Sequence, residues 1–376
     1  MLKCQAIIDA MERIAPKKLA ESWDNPGLLV GNPANDIHRI LVCLDARDEV
    51  IDEAIDRHCE LIIAHHPFIF HSMKKIRMDQ PVGRMIEKLI KNDIAVMAAH
   101  TNLDIAEGGV NDVLAEKIGI DMTTLSPLDV TMTHELVKLA VYVPLDYADA
   151  VRDAIVRADA GHIGAYSGCT FSVKGEGTFI PGEGTHPFIG MTGKMEHVNE
   201  IRIETIFPVE IERNVIRAML AAHPYEEPAY DLYPMRNEGK KESLGRVGNL
   251  KKPMKIDDFS ESVRANLNAP YVRVVRANNR EMIKKVGLCS GSGAEFIDRA
   301  NISGCDVYVT GDVRYHEAQR ARELNINVID AGHFATEYPI VPVLANRLRD
   351  ELKNYKGSVE IIVDESAKDF FEIVKI

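Results

Sequence analysis

Two adjacent histidines, His65 and His66, follow the apolar run ELIIA and precede a proline. A histidine four residues ahead of a carboxylate occurs twice more, as His100 with Asp104 after IAVMAA and as His333 with Glu337 after INVIDAG. Imidazole nitrogens together with carboxylate oxygens form the ligand set of zinc, iron, manganese or cobalt, and one carboxylate can bridge two ions ~3.5–4 Å apart. Imidazole is also the side chain best suited to proton transfer near neutral pH. All six residues stand at the ends of strand-like runs, so the chemistry depends on elements that bring those ends together.

From Ile40 onward two periods alternate. The apolar runs ILVCLDA (40–46), ELIIAHH (60–66) and IAVMAAH (94–100) are separated by stretches of helical spacing at 48–58 and 80–92, and another helical stretch follows at 110–119. The alternation returns at the other end of the chain with KKVGLC (284–289), CDVYVT (305–310), INVIDAGH (326–333) and VEIIVD (359–364), again with helical patterns between. Continuous apolar strands interleaved with amphipathic helices predict α/β architecture with mainly parallel sheets, whose strands all end on one edge, where ligands bind. ELIIAHHPF aligns with CDVYVTGDV, and AVMAAHTNLD with NVIDAGHFATE, so the chain reads as two similar α/β halves, 1–130 and 241–376.

Between the halves the texture changes. A strand at 138–144, a helix at 146–159 opened by Asp146, a glycine-interrupted ribbon at 166–180, a strand at 200–208, a helix at 209–222 and a strand at 228–234 give the order β-α-β-β-α-β. That order predicts an inserted ferredoxin-like (α+β) domain at 131–240, with RNEGKK (236–241) as a polar exit linker.

The 376 residues carry 45 Lys and Arg against 57 Asp and Glu, a net charge of −12. The balance argues against nucleic acid as the main partner, since the phosphate backbone demands a basic footprint. Six cysteines without a C-x-x-C pair read as small buried hydrophobes in a reducing cytosol. No apolar run approaches the ~18 residues of a membrane span, and the N-terminal pattern is an amphipathic helix rather than a signal peptide. A cytoplasmic protein with no membrane partner is expected.

Other motifs are weaker. LCSGSGAEFI (288–297) is a strand, a tight turn and a helix start, with Gly291 and Gly293 but Phe296 at the third glycine position of a dinucleotide fingerprint; its N–H groups are candidates to hold a phosphate. Asp312 and His316 follow a C-terminal strand and are candidates to orient ligands or carry protons, with a helix cap as the alternative for Asp312. His223, Glu226 and Glu227 sit among two prolines, a rigid turn or a second ligand site. Eight glycines in 161–190 suggest mobile loops at an assembly interface, and Trp23, Asp24 and Asn25 read as a turn-rich packing segment.

WDNPGLLVGNP, LIIAHHPFIF, AAHTNLD, the GSG turn, VTGDVRYHEA and DAGHFATEYP, in this order, strongly resemble the Nif-three-like family, also called GTP cyclohydrolase I type 2 homologues. The motifs cover both outer halves, and the middle segment is similar to the PII/CutA-like insertion of some bacterial members. The resemblance implies two divalent metal ions per subunit, zinc first with iron or manganese as alternatives, in a cleft between the halves of a toroidal homohexamer. Residue by residue, it implies His65, His66, Asp104, His333 and Glu337 as metal ligands and His100 as a histidine beside the metals, ligand or proton carrier.

Two readings of function follow. In the first, a two-metal hydrolase uses metal-activated water against a purine nucleotide ring at a C–N centre, with His100 or His316 as catalytic proton carriers. In the second, the protein is a metal-binding regulator or scaffold whose insertion binds a small effector, without catalysis.

Overall fold

Four short runs become strands with every position buried: Leu61–Ala64, Ala95–Ala98 and Val307–Thr310, and Asn327–Asp330 with a polar residue at each end. That is the pattern of parallel strands covered on both faces. A computed structural model describes residues 1–278 and 280–374. The chain divides into two units, one of Met1–Met132 with Glu242–Ile376, the other of Thr133–Lys241.

Along the chain the first unit begins with β1 (Leu2–Lys3), α1 (Cys4–Ile14), β2 (Gly27–Val30), β3 (Asp36–Ile37), β4 (Arg39–Cys43), α2 (Asp48–Asp56), β5 (Leu61–Ala64), α3 (Pro81–Lys91), β6 (Ala95–Ala98), α4 (Thr101–Ile105) and α5 (Val110–Lys117). β4, β5 and β6 are parallel neighbours, and β2 closes one edge antiparallel to β6. The long β7 (Ile120–Pro144) carries the chain into the second unit, where α6 (Ala148–Arg157), β8 (Phe171–Phe179), β9 (Glu196–Pro208) and α7 (Glu212–Ala222) follow, and β10 (Tyr230–Lys255) carries it out. The first unit resumes with α8 (Ile256–Asn266), β11 (Arg273–Val275), β12 (Met282–Leu288), α9 (Ile297–Ile302), β13 (Val307–Thr310), α10 (Tyr315–Glu323), β14 (Asn327–Asp330), α11 (His333–Glu337), α12 (Ile340–Leu352) and β15 (Glu360–Val363).

β12, β13 and β14 form a second parallel triplet, flanked by antiparallel β11 on one side and the Arg246–Lys255 part of β10 on the other. The two triplets are the two similar α/β halves. They share a detail outside their apolar runs. Glu60, just ahead of β5, accepts the backbone N–H groups of His38 and Arg39 at 2.9 and 2.8 Å. Asp306, just ahead of β13, accepts those of Lys284 and Lys285 at 2.9 and 2.8 Å.

β15 reads in the sequence as the last strand of the C-terminal half. In the structure it pairs in parallel with β4, Ile361 opposite Ile40, in the N-terminal sheet. The pairing covers an edge that β4 would otherwise leave open. α12 follows it across, burying Leu344, Leu348 and Leu352 in the same core as Ile7, Met11 and Ile14 of α1.

In the second unit β9 lies antiparallel to both β7 and β8, with Leu139 opposite Thr205 and Gly175 opposite Glu200. α6 and α7 bury Val151, Ile155, Val215 and Met219 against Leu139, Val141, Ile203 and Phe207. Two local expectations are corrected. RNEGKK is part of β10 rather than a linker, because a Cβ at Gly239 would stand 2.4 Å from the His134 carbonyl oxygen and glycine lets the strands approach. Asp146 does not cap α6: it lies in a 3-10 turn, Leu145–Tyr147, and no side chain caps either element. All six cysteines are free and five are buried, Cys169 being half-buried. Among the described residues no helix is long and apolar enough to cross a membrane.

Candidate metal centre

β5 ends at Ala64, so the next two residues, His65 and His66, leave the sheet at its C-terminal edge. β6 ends at Ala98, followed by His100 and, on α4, Asp104. β14 of the other half ends at Asp330, and the short α11 carries His333 and Glu337. The two halves thereby bring five of the six residues into direct contact range. Glu337 Oε2 is 3.0 Å from Nε2 of both His66 and His333. His65 Nε2 is 3.7 Å from Asp104 Oδ1 and 3.8 Å from Glu337 Oε1. The sixth, His100, has its ring centroid 5.3 Å from that of His65 and 5.7 Å from that of His66. Donor atoms of His65, His66 and His100 lie within 4.8 Å of one another, as do those of His66, His333 and Glu337. His66 belongs to both groups.

Each of the four imidazoles is held by Nδ1 and turned so that Nε2 faces its neighbours. His65 Nδ1 donates to the Ala99 carbonyl at 2.8 Å, and His66 Nδ1 is 2.8 Å from Asp45 Oδ1. His100 Nδ1 is 2.8 Å from Asp24 Oδ1, and His333 Nδ1 is 2.7 Å from Asp312 Oδ2. An outer carboxylate or carbonyl that fixes the ring and leaves the other nitrogen free is the arrangement of metal-binding histidines. One atom bears this out: His65 Nε2 is buried and, among the described residues, makes no hydrogen bond, although buried polar atoms ordinarily have one. The donor set therefore fits a divalent cation, which would satisfy the orphaned nitrogen.

The electrostatics point the same way. Burial opposes a charge on His66, but Asp45 and Glu337 outweigh it and raise its pKa to about 10. His333 is raised to about 9 by Glu337 and Asp312 against the same opposition. Burial alone would raise the Glu337 carboxyl, yet the three surrounding imidazoles hold it well below the usual range. Asp104 is raised, chiefly by burial. Asp24, whose second oxygen takes the backbone N–H of Thr101 at 3.0 Å and the Thr101 hydroxyl, is lowered against its own burial to about 2 by His100 and Thr101.

The sequence pattern missed Asp24, Asp45 and Ser290. In the sequence Asp24 reads as part of a turn-rich packing segment, and Ser290 Oγ lies 3.2 Å from Asp104 Oδ1. Asp45 carried a usable signal, since it stands two residues beyond the end of β4 on the same sheet edge as the histidines. Asp312 does orient a ligand candidate rather than cap α10. His316 is exposed on α10 against Tyr315, with Nδ1 3.5 Å from Gln319 Oε1, and among the described residues no contact joins it to the cluster. The GSG turn has little left for a phosphate: the N–H groups of Ser290, Gly291 and Gly293 are taken by Asn111, Thr336 and Thr310. Its glycine serves the cluster instead. Gly291 has φ +59°, and a Cβ there would stand 2.1 Å from Glu337 Oε1. His223 uses both nitrogens, on the Tyr142 carbonyl and the Tyr225 N–H, and makes a rigid turn.

The equivalence of the halves is corrected by one residue. Ala64 pairs with Ala98 at the end of β5 and β6, Thr310 with Asp330 at the end of β13 and β14. Two residues past those pairs stand His100 and Gly332, so His333 is one position further along than His100. Glu337 is correspondingly the fifth residue of α11 and Asp104 the fourth of α4.

The chain matches the family Duf34/NIF3 (NGG1p interacting factor 3) over residues 2–369. A protein of Bacillus subtilis (strain 168) named "GTP cyclohydrolase 1 type 2 homolog" is 47% identical over 363 residues, 96% of each chain. Among solved structures, the fold is similar to that of a Bacillus cereus protein related to NIF3, with TM-score 0.92 and 42% identity over 99% of both chains. Staphylococcus aureus protein SA1388 is similar with TM-score 0.77 and 28% identity over 99% of both.

Proposed function

Because the chain belongs to the Duf34/NIF3 family, we propose that the cluster holds two divalent metal ions and serves hydrolysis at a ring C–N centre of a purine nucleotide, the chemistry that the name of the Bacillus subtilis relative suggests. The observation that carries the reading is the set of four histidines anchored at Nδ1, with Nε2 of His65 left buried and unbonded among the described residues. His65, His66, Asp104, His333 and Glu337 would be the ligands in this reading, with Glu337 in reach of three imidazoles. Zinc suits the donor set, as do iron and manganese. Bound ions of this kind bring the pKa of a water ligand toward neutrality. His100 takes and returns the proton, and the Asp24 carboxylate behind it holds the ring. His316 has no part, being outside the cluster. The family also suggests a toroidal homohexamer, for which native mass spectrometry would show six copies, and a PII/CutA-like character for the second unit, supported by its element order.

Elemental analysis of the purified protein, with GTP turnover measured beside an Asp104→Ala variant, tests the reading. The wild type should carry transition metal and turn over GTP, and the variant should lose most of both. Turnover that survives removal of the metal would end the hydrolase reading. The second reading, a metal-binding regulator, is favoured by one observation: the second unit has a cavity of its own.

A further inference from the structure

The face of β8 and β9 carries a cavity of about 690 Å³ within the second unit, inside the size range of small-molecule sites. Two glycines make it. Gly175 lies opposite Glu200 with open space where its side chain would be, and a Cβ at Gly177 would stand 2.2 Å from Glu200 Oε2. Tyr142, Phe179, Phe188 and Tyr225 bring four rings to the lining, with Tyr225 5.8 Å from Phe179 and 6.3 Å from Phe188, centroid to centroid.

Glu200 is the chemical feature of this cavity. The residue is only 8% exposed, and its Oε1 accepts the Tyr225 hydroxyl at 3.1 Å. Among the described residues nothing bonds Oε2. This oxygen stands where the side chain of residue 177 would be if it were not glycine, so it faces the space the glycine leaves, and a ligand N–H there has an acceptor to meet. Arg202, two residues on and on the same face, does not fill the role. Its guanidinium lies over the Tyr142 ring at 5.9 Å and pairs with Glu204 at 2.7 Å. The lining includes four glutamates, at 176, 200, 226 and 227, against Lys174 and Arg202, so a phosphorylated or carboxylated ligand is disfavoured.

We propose that this cavity binds an uncharged planar nitrogen heteroaromatic, of the nucleobase or nucleoside class, stacked among the rings with N–H donors along one edge directed at Glu200. The inference does not depend on the metal-centre reading, since every residue it uses lies within 142–227.

Isothermal titration of the full-length protein with guanosine, which presents a ring N–H and an amino group on one edge, is the direct test. Binding is expected to the wild type, to weaken roughly tenfold or more in Glu200→Gln, and to vanish in Gly175→Leu, whose side chain enters open space. Inosine, lacking the amino group, should bind less tightly. His65→Ala should bind guanosine as the wild type does, which separates this cavity from the metal centre. Absence of guanosine binding to the wild type would overturn the proposal. So would binding undiminished in both cavity variants, loss of binding in His65→Ala, or binding of phenylalanine in preference to guanosine. A calorimetric transition of the second unit that persists in the two cavity variants confirms that this unit is folded in them.

Discussion

Asp24 shows how a single side chain far from the other site residues in sequence decides the state of one of them. Its carboxylate is fully buried and holds both His100 and Thr101, so the imidazole that faces His65 and His66 is fixed by a residue 76 positions earlier. Asp24→Asn keeps the size and can still accept from Thr101, but it puts a neutral amide in place of the carboxylate that holds His100 Nδ1. If His100 carries the proton, turnover of the variant should fall by about 10–100-fold with metal content near the wild-type level. Elemental analysis alongside kcat distinguishes the outcomes, since equal loss of metal would make His100 a ligand instead. The residue scale is also where the sequence was least complete. His65, His66, His100, Asp104, His333 and Glu337 were legible because ligand-type side chains stand out after apolar strands. Asp24 and Asp45 were not, because a carboxylate behind a histidine is defined by a contact across the fold, and nothing local distinguishes it from a turn or helix-start residue.

At the scale of elements, each half fastens its first two strands by the same device, an acidic residue ahead of the second strand accepting two backbone N–H groups ahead of or within the first. Burial would raise the Glu60 carboxyl, but the hydrogen bonds from Arg39 and His38 outweigh it and lower its pKa. A group lowered on folding stabilises the protein fully above its unfolded value of ~4.3 and loses that contribution as pH falls through the folded value. Glu60→Gln should therefore cost about 1 kcal/mol at pH 7 and progressively less below pH ~4. Urea unfolding at both pH values measures this, and a cost that does not shrink in acid would show that the charge is irrelevant. The parallel triplets and their helices were legible because apolar runs and 3.6-residue spacing are local signals. The place of β15 was not, since VEIIVD is equally suited to either sheet and only the free edge of β4 selects one. The one-residue offset between His100 and His333 was hidden for a related reason: strand-end register depends on pairing, and the matching H-x-x-x-carboxylate spacing concealed it.

For the whole molecule, the decisive fact is that each unit has a core of its own while all five proposed ligands belong to the first. Binding to the folded state alone stabilises it by RT ln(1 + [L]/Kd), about 2.7 kcal/mol when free metal is a hundredfold above Kd. That linkage acts on the cooperative unit that contains the site. The second unit, with Val141, Ile155, Phe207 and Met219 in a separate core, gains nothing from metal directly. Calorimetry should accordingly show two unfolding transitions, of which chelation lowers one by several degrees and leaves the other in place. Guanosine, if the cavity at Glu200 takes it, should raise the transition that chelation leaves unmoved. A single transition displaced as a whole by chelator would mean that the units unfold together, and metal binding in one would then be felt in the other. The net charge of −12 bears on both sites at this scale. An anionic substrate approaches the first unit against the overall field, so its binding there depends on the cations, and raising the ionic strength should strengthen nucleotide binding at the metal centre while leaving an uncharged nucleoside in the second unit unaffected.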